Sequence, residues 1–386
     1  MSAVLGESKP VLYTGDESTG SLAAVRALRA AGYEPWLAVS QPGTYAAHSR
    51  ALAGLLELDA SDPHGYAQAL AGHAARVRPA AVLPCTEASL SALTGREHLF
   101  GRVPVGTAGP EPLERARDKS LLPELCTEAG LATARSAALT LAEVDTYEDT
   151  LRFPAIVKPR RSIEWREDSE FGRTGVRKVE SPAELRRVLA EAPQEQWVVE
   201  SAVRGTLAAV CGVAWEGEVV CTLHQVSPRT FPPEIGVSSY ALTVEPDPSR
   251  DAGVRTLMRS IGWSGIFGVQ FLLADDDAYV IDVNPRVYGS LALAVAAGHN
   301  LPAIWTELLL GGRPRPGPYR RGVRYRVEED DYRLLLGMLR RGPRRDALLG
   351  LLPHSNTTHA IFALRDPRPA LASLHKLAGK ISRAGR

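Results

Sequence analysis

Three side chains with oxygen donors stand in two apolar stretches of the sequence. Asp282 and Asn284 lie in YVIDVNP, and Gln270 lies upstream in GVQFLL. Both stretches are rich in β-branched and aromatic residues, which favour strands, and we expect the two strands to be neighbours. Strand residues two apart project to the same face, so Asp282 and Asn284 point into one cleft. A carboxylate with two amide oxygens suits Mg²⁺, and the alternative is a hydrogen-bonded polar pair at a strand end.

Cationic side chains stand at the ends of other predicted elements. Lys119 follows Asp118 at the start of a helix, and Lys158 ends the apolar strand AIV. Lysine is rarely buried without a partner, so a role as a point charge on phosphate explains Lys158 better than solvation does. Arg286 comes just after the strand of Asp282, and its fork of donors suits phosphate or carboxylate.

A long polar stretch, SIEWREDSEFGRTGVRKV, separates Lys158 from the next predicted helix. It contains Gly172 and Gly175, which would let backbone N–H groups approach a phosphate. We expect this stretch to act as a mobile flap over a phosphate site.

The first hundred residues alternate between strand and helix patterns. Apolar strands are predicted at 10–14, 35–39 and 80–85, and helical spacing of apolar residues is seen over 18–31. Such alternation predicts an α/β domain with a doubly wound parallel sheet. The loop YTGDESTGS after the first strand lacks the G-x-G-x-x-G fingerprint and carries two acids, so nicotinamide binding is not expected.

Two linkers rich in glycine and proline divide the chain. They are VGTAGPEP at 105–112 and GGRPRPGP at 311–318. The part between them mixes helices with mostly antiparallel strands, which is typical of an α+β fold. After the second linker, THAIFAL at 358–364 is a candidate strand. The predicted domains are therefore 1–107, 108–312 and 313–386.

The four cysteines show no C-x-x-C spacing, which argues against a zinc site or a redox pair. Cys211 and Cys221 flank the turn WEGE in a predicted hairpin. A two-residue turn at Glu216 and Gly217 would place Cys221 opposite Gly212, so no disulfide is implied.

The charge is unevenly distributed although the net charge is +1. From Gly311 onward the chain has 17 Lys and Arg against 6 Asp and Glu. This predicts a solvated basic surface, with recognition of an acidic substrate or partner as the alternative. Nucleic acid is not favoured because aromatics suited to base stacking are nearly absent there. No signal pattern and no apolar run of ~18 residues is present, so a cytoplasmic protein without membrane contact is expected.

Taken in order, these stretches resemble the ATP-grasp superfamily, in which ATP is clamped between two α+β subdomains. The resemblance covers roughly residues 1–312. Its marks are the strand–helix N-terminal domain, DKSLLPELCTEAGL, FPAIVKP, the glycine flap, VVESAVRG, and GVQFLL with YVIDVNPRVYGS. It implies a Rossmann-like pre-ATP-grasp domain and an ATP-grasp domain hinged near 198–205. Beyond the resemblance, the sequence itself predicts a small basic α/β C-terminal region.

The resemblance also implies roles for individual residues. The matched positions are Lys119 and Lys158 for phosphate, Gly172 and Gly175 for the flap, main-chain groups of Glu200 and Val203 for adenine, Gln270, Asp282 and Asn284 for metal, and Arg286 for the transferred phosphoryl group or acyl phosphate.

Two positions depart from the family pattern. Many members carry Glu or Asp at the position of Gln270, although the carbamoyl-phosphate-synthetase branch resembles this chain in using glutamine. Leu207 stands where the family usually has a ribose-binding carboxylate. Contacts to the ribose are therefore not predicted from the resemblance.

The resemblance implies an enzyme that uses ATP and Mg²⁺, with Mn²⁺ as an alternative metal. We expect an ADP-forming ligase that joins a small carboxylate, activated as an acyl phosphate, to an amine such as an amino acid. The alternatives are a bicarbonate-activating enzyme and a degenerate ATP-binding regulator. Homodimers are common in the family.

Substrate selection is predicted in HQVSPRTFPPEIGVSSY, which is interpreted as a loop. It carries Arg229, Ser238 and Ser239 near the expected position of the acyl phosphate. Arg229 is the candidate anchor for the substrate carboxylate, and the alternative is a structural arginine. His224 precedes this segment as a candidate general base, although a strand histidine is more often packed or exposed.

Overall fold

The computed structural model describes residues 9–15, 18–40, 45–58, 62–147, 151–161, 175–191, 196–232, 236–274, 277–333 and 355–375. The chain divides into two compact units, Met1–Thr107 with Arg286–Arg386, and Ala108–Pro285. The division into three domains at 107 and 312 stays a prediction. Across the described residues, no helix has the length and apolar character needed to cross a membrane.

Strands and helices are numbered in chain order. The strands are β1 Pro10–Thr14, β2 Glu34–Val39, β3 Gly54–Glu57, β4 Ala81–Leu83, β5 Ala132–Thr133, β6 Ser136–Leu139, β7 Ala155–Pro159, β8 Arg177–Val179, β9 Trp197–Ser201, β10 Thr206–Trp215, β11 Glu218–Phe231, β12 Val237–Thr243, β13 Gly265–Ala274, β14 Asp277–Asn284, β15 Arg324–Arg326 and β16 Thr357–His359. The helices are α1 Thr19–Ala30, α2 Pro63–Val77, α3 Glu87–Leu93, α4 Pro110–Arg117, α5 Leu122–Glu128, α6 Val144–Tyr147, α7 Pro182–Leu189, α8 Pro248–Ile261, α9 Leu291–Ala297 and α10 Leu301–Leu309.

The N-terminal sheet is parallel, with strand order β3-β2-β1-β4. This confirms the predicted doubly wound sheet. Helix α1 begins after Ser18, whose hydroxyl caps it by accepting from Ser21 N–H. The helical spacing of Leu22, Val25 and Leu28 is confirmed, because all three side chains are fully buried.

Strand β3 was not predicted from the sequence. It lies at the sheet edge and pairs only with β2. Its four residues, GLLE, include no β-branched or aromatic side chain, and Leu55 is exposed. An edge strand with a weak propensity carries little sequence signal because pairing with its neighbour decides its conformation.

The C-terminal part of the first unit packs on α1. Asn300 Nδ2 donates to the Ala27 carbonyl at 2.8 Å, and Arg26 Nε donates to Asp366 at 2.9 Å. The same Asp366 carboxylate accepts from Ser49 Oγ and from Arg50 N–H. This buried carboxylate therefore joins the distant C-terminal stretch to α1 and the segment after β2.

The candidate strand at 358–364 is shorter than predicted. Strand β16 covers Thr357–His359 and pairs in parallel with β15, which has only three residues. Within the described part of this unit, the apolar residues after His359 have no further strand to pair with, so the extended conformation ends there.

The second unit contains two sheets. The smaller one is antiparallel, with order β6-β9-β7-β8, and buries an apolar core that includes Val157, Leu185 and Trp197. In the larger one the strands of this unit run β12-β11-β10-β13-β14-β5. All neighbours there are antiparallel except β14 and β5. The predicted antiparallel α+β character is confirmed.

The β10–β11 hairpin differs from its predicted register by one residue. Glu216 and Gly217 form the two-residue turn, with φ of 51° and 82°. A bulge after Val213 then places Cys221 opposite Val213 instead of Gly212. All four cysteines are free thiols.

The segment predicted as a substrate loop is mostly strand. β11 continues to Phe231, and β12 begins at Val237, so Arg229 pairs with Tyr240 in the ladder. The loop interpretation was wrong because two serines, a proline and an arginine weakened the strand pattern, while pairing with β12 extended it.

His224 on β11 is held by the start of α8. Its Nε2 lies 3.3 Å from Asp251 Oδ1, and its Nδ1 accepts from Asp247 N–H. Hydrogen bonds from His224, Thr222 and Arg255 hold the pKa of Asp251 far below its usual range, against the opposing effect of burial. This buried histidine is a structural link between β11 and α8.

We predict that Asp251→Asn lowers the free energy of unfolding at pH 7 by roughly 1–3 kcal/mol. Because the folded-state pKa of Asp251 lies below its unfolded value, its contribution is present above an unfolded pKa of about 3.9 and is lost as the pH falls through the folded pKa. The difference in the free energy of unfolding between wild type and Asp251→Asn should therefore become smaller as the pH falls from about 5 to 3. Urea unfolding at several pH values measures it.

The control is Asp145→Asn, since Asp145 is largely exposed and pairs with Arg186 at the surface. Its effect should stay below about 1 kcal/mol at each pH. If Asp251→Asn lowers the free energy of unfolding by the same amount at pH 7 and at pH 3, this explanation is contradicted.

Candidate active site

Two lysines from different elements reach adjacent residues of β14. Lys119, in the turn after α4, forms an ion pair with Asp282. Lys158, on β7, donates to the Ile281 carbonyl at 2.7 Å. Since β7 belongs to the smaller sheet and β14 to the larger one, the two amines converge where these sheets meet within the second unit.

Lys158 also forms a buried ion pair with Glu200 on β9, with Nζ 2.7 Å from Oε1. Only 5% of Lys158 and 9% of Glu200 are exposed. Burial raises the pKa of Glu200, and the charge of Asp282 raises it further, whereas Lys158 and Lys119 lower it. Lys119, Lys158, Glu200 and Asp282, called the charge cluster below, are thus electrostatically coupled.

A β-bulge frees the carbonyl that Lys158 binds. Gln270 pairs with Asp282 and Phe271 pairs with Val280, so Ile281 is an extra residue in the β13–β14 ladder. A bulged residue is left out of strand pairing. Its carbonyl is therefore available to the Lys158 amine.

The predicted oxygen donors lie together on one face. Gln270 stands directly opposite Asp282, which confirms that the two strands are neighbours, and Asn284 is two residues further along β14. Opposite Asn284 lies Gly268, which has no side chain. Among the described residues, the side chains of Gln270 and Asn284 have no hydrogen-bond partner. One carboxylate and two amide oxygens with this placement fit the preference of Mg²⁺ for oxygen ligands.

Arg229 packs against β12. Its Nε donates to Ser239 Oγ at 3.3 Å, and its guanidinium carbon lies 5.5 Å from the centre of the Tyr240 ring. Ser227 and Ser238 are hydrogen-bonded beside it at 2.9 Å. Arg229 is thus on a strand, and its role as a substrate anchor stays a prediction.

The remaining predicted positions have separate outcomes. Val203 follows the end of β9, and Leu207 lies on β10 opposite Ser227. Gly175 is described, with open space where a side chain would be, whereas Gly172 lies outside the described residues. Arg286 belongs to the first unit, where its Nη1 donates to the Val287 carbonyl. The functional roles of these residues stay predictions.

Sequence reasoning missed the carboxylate of Glu200, for which only main-chain groups were considered. A signal was present, because Lys158 and Glu200 each follow an apolar strand run, AIV and WVV. Opposite charges at the ends of two buried strands indicate a pair, since an isolated buried charge is strongly disfavoured.

We predict that Lys158→Met lowers the free energy of unfolding at pH 7 by about 3–5 kcal/mol, because it leaves Glu200 buried without its counter-charge. The loss should shrink toward pH 5, where Glu200, with its raised pKa, accepts a proton more readily. Chemical denaturation at both pH values measures this.

Lys178→Met is the matched control, since Lys178 lies on β8 of the same sheet and pairs with Glu180 at the surface. Its cost should stay below about 1 kcal/mol. Equal losses in the free energy of unfolding for the two lysine variants would show that the buried ion pair contributes no more to stability than the surface pair.

Parts of the chain are similar to known proteins. Residues 195–331 match the family described as ATP-grasp in the biosynthetic pathway with Ter operon. The carbamoyl phosphate synthase large chain of Bifidobacterium animalis subsp. lactis is 28% identical over 273 residues, which cover 61% of this chain. The chain spans only 22% of the length of that relative.

Solved structures share the fold at low sequence identity. An L-amino acid ligase from Bacillus licheniformis has a TM-score of 0.58 at 16% identity, over 78% of this chain and 74% of that one. The biotin carboxylase domain of Hydrogenobacter thermophilus 2-oxoglutarate carboxylase, in complex with MgADP and bicarbonate, has a TM-score of 0.60 at 15% identity, over 82% and 73% of the two chains. The chain is thus similar to ATP-grasp proteins in sequence over residues 195–331, and it shares its fold with solved ligase and carboxylase structures over most of its length.

Proposed function

We propose that the protein is an ADP-forming ligase that activates a small carboxylate as an acyl phosphate and joins it to an amine. The observation that carries this proposal is the convergence of two lysine amines on residues 281 and 282 of β14, beside three oxygen donors on one face. This arrangement offers positive charge to phosphates and oxygen ligands to a magnesium ion.

The chemical difficulty is electrostatic. A carboxylate that attacks the γ-phosphoryl group of ATP brings two anions together, and the carboxylate oxygen is a poor leaving group until it is phosphorylated. Lys119 and Lys158 would neutralise phosphate charge, and Gln270, Asp282 and Asn284 would hold Mg²⁺. Bound Mg²⁺ would supply further positive charge at the phosphate oxygens. We infer that Glu200 holds the Lys158 amine in place, because their ion pair is buried.

Water must be kept away from the acyl phosphate, since hydrolysis would waste it. The stretch between Lys158 and β8, with Gly172 and Gly175, is the proposed cover. Main-chain groups of Glu200 and Val203 are the proposed adenine contacts, and Arg286 is the proposed contact to the transferred phosphoryl group or the acyl phosphate. A small acid, an amine, ATP and Mg²⁺ are therefore the proposed ligands, with Mn²⁺ as a substitute metal and a homodimer as the proposed assembly.

An amine acceptor is supported by the similarity in fold to an L-amino acid ligase. Bicarbonate as the activated acid is the second candidate. It is favoured by Gln270, by the carbamoyl phosphate synthase relatives and by the fold shared with a biotin carboxylase domain. A degenerate ATP-binding regulator is a third candidate, for which Leu207 is the supporting residue.

A phosphate-release screen separates the three candidates. We expect ADP formation from ATP and Mg²⁺ to require an amino acid from an added pool, with or without bicarbonate. Turnover with bicarbonate alone would support the second candidate. Tight ATP binding without turnover in any pool would support the regulator.

Within that screen we predict that Lys119→Met lowers kcat/KM for ATP roughly 10²–10³-fold, the usual cost of removing one preorganised electrostatic contact in a transition state. Lys178→Met, a surface change in the same unit, is the control and should leave turnover unchanged. An active Lys119→Met enzyme would remove this lysine from the proposed site.

We predict that Arg229→Ala raises KM for the acid substrate at least about tenfold, while KM for ATP stays unchanged, because the guanidinium is the proposed partner of the substrate carboxylate. Steady-state kinetics with the acid found in the screen measures this. The control is Arg259→Ala, since Arg259 pairs with Glu218 at the surface of the same unit. An unchanged KM for the acid would assign Arg229 a structural role.

A further inference from the structure

Asp118 and Arg160 form a second charged pair, next to the turn that carries Lys119. This pair takes no part in the mechanism above. Asp118 is buried, with only 6% exposed, and precedes Lys119 directly. Arg160 Nε donates to both oxygens of its carboxylate at 2.8 and 2.9 Å, and Arg160 Nη2 binds it as well. The carboxylate also accepts from the backbone and the hydroxyl of Ser120. Both oxygens of the Asp118 carboxylate are thus hydrogen-bonded.

Main-chain hydrogen bonding also connects the segment of Lys119 to Arg160. The backbone N–H of Lys119 donates to the Arg160 carbonyl at 3.0 Å, and Arg160 Nη1 donates to Gln196 Oε1 at 2.6 Å. Arg160 lies two residues beyond Lys158, just past the end of β7. The Lys119 backbone N–H and the side chain of the residue before it are therefore both bonded to Arg160, just past the end of the strand that carries the other lysine.

Asp118 remains charged near neutral pH. Burial raises its pKa, but hydrogen bonds from Arg160 and Ser120 outweigh this effect and leave the pKa below its usual value. A bidentate pair between arginine and carboxylate is also directional, so it restricts orientation as well as distance.

A surface ion pair connects the same two elements and provides a comparison. Arg161 Nη2 lies 2.9 Å from Glu114 Oε2, and half of the Glu114 side chain is exposed. Glu114 lies one turn earlier on α4 and does not flank the lysine. An exposed pair of this kind contributes little, whereas the Asp118–Arg160 pair is buried on the carboxylate side.

We infer that Asp118 and Arg160 are positioning residues that set the distance between the Lys119 and Lys158 amines to match the phosphates of a bound nucleotide. This inference rests on the proposed function, in which both lysines bind phosphate. In this inference neither residue contacts the nucleotide directly. They act through Lys119, whose backbone they hold, and a misplacement of about 1 Å at such a site can cost roughly a hundredfold.

The test is the affinity of the full chain for Mg·ADP, measured by calorimetry without any acid or amine substrate. Asp118→Asn should weaken binding at least about tenfold, and Glu114→Gln should leave it unchanged. In the Lys119→Met background, Asp118→Asn should have little further effect, because residues that act through one another are not additive. A structural role alone would give additive losses.

The outcomes are distinguishable. Unchanged Mg·ADP affinity in a folded Asp118→Asn variant, or additive losses with Lys119→Met, would overturn the inference while the proposed function stands. Wild-type protein that binds no Mg·ADP would overturn both. If Asp118→Asn fails to fold, Arg160→Lys provides the same test, because it retains the positive charge and removes the bidentate guanidinium. It should also weaken Mg·ADP binding at least about tenfold.

Discussion

Compensation of buried charge is the constraint on which the proposed site depends. The charge cluster brings two amines and two carboxylates from four different elements of the second unit into a region of low exposure. Each charge is tolerated there only because an opposite charge lies within ion-pair distance. The strands that carry these residues must therefore keep their relative placement, and this links the smaller sheet to the larger one.

The two lysines are held in different ways. Lys158 lies inside a strand, so the sheet itself positions its backbone. Lys119 lies in a turn between two short helices, where no regular ladder fixes it, and side-chain bonds from Asp118 and Ser120 replace that ladder. Sites built from turns need such local support, because a loop without it samples several positions.

Much of the fold could be predicted from the sequence, because local patterns determine it. The apolar spacing of Leu22, Val25 and Leu28 indicated α1, and the apolar runs indicated most strands. The features that escaped prediction depend on pairing partners. Edge strand β3 and the extension of β11 past Arg229 exist because a neighbouring strand offers hydrogen bonds, and the sequence does not state which strands are neighbours.

The same limit applies to the candidate site. The alternation of Asp282 and Asn284 predicted their shared face, and Gln270 was expected on the adjacent strand. Its position directly opposite Asp282 depends on a bulge, which has no signature in the period-two pattern. The pair between Lys158 and Glu200 joins residues far apart in the sequence, and their ion pair depends on the antiparallel register of β7 and β9.

The bulge at Ile281 changes which face of the sheet the alternate side chains of β14 point to, before and after this residue. A regular ladder continued from the turn of the hairpin would place Ile281 opposite Gln270 and Asp282 opposite Val269, and a slip of one residue exchanges the two faces of a strand. Val280 could then bury its side chain only if Asp282 turned into the same core. One extra residue removes this conflict, so a single strand serves the core over its first half and presents polar groups over its second.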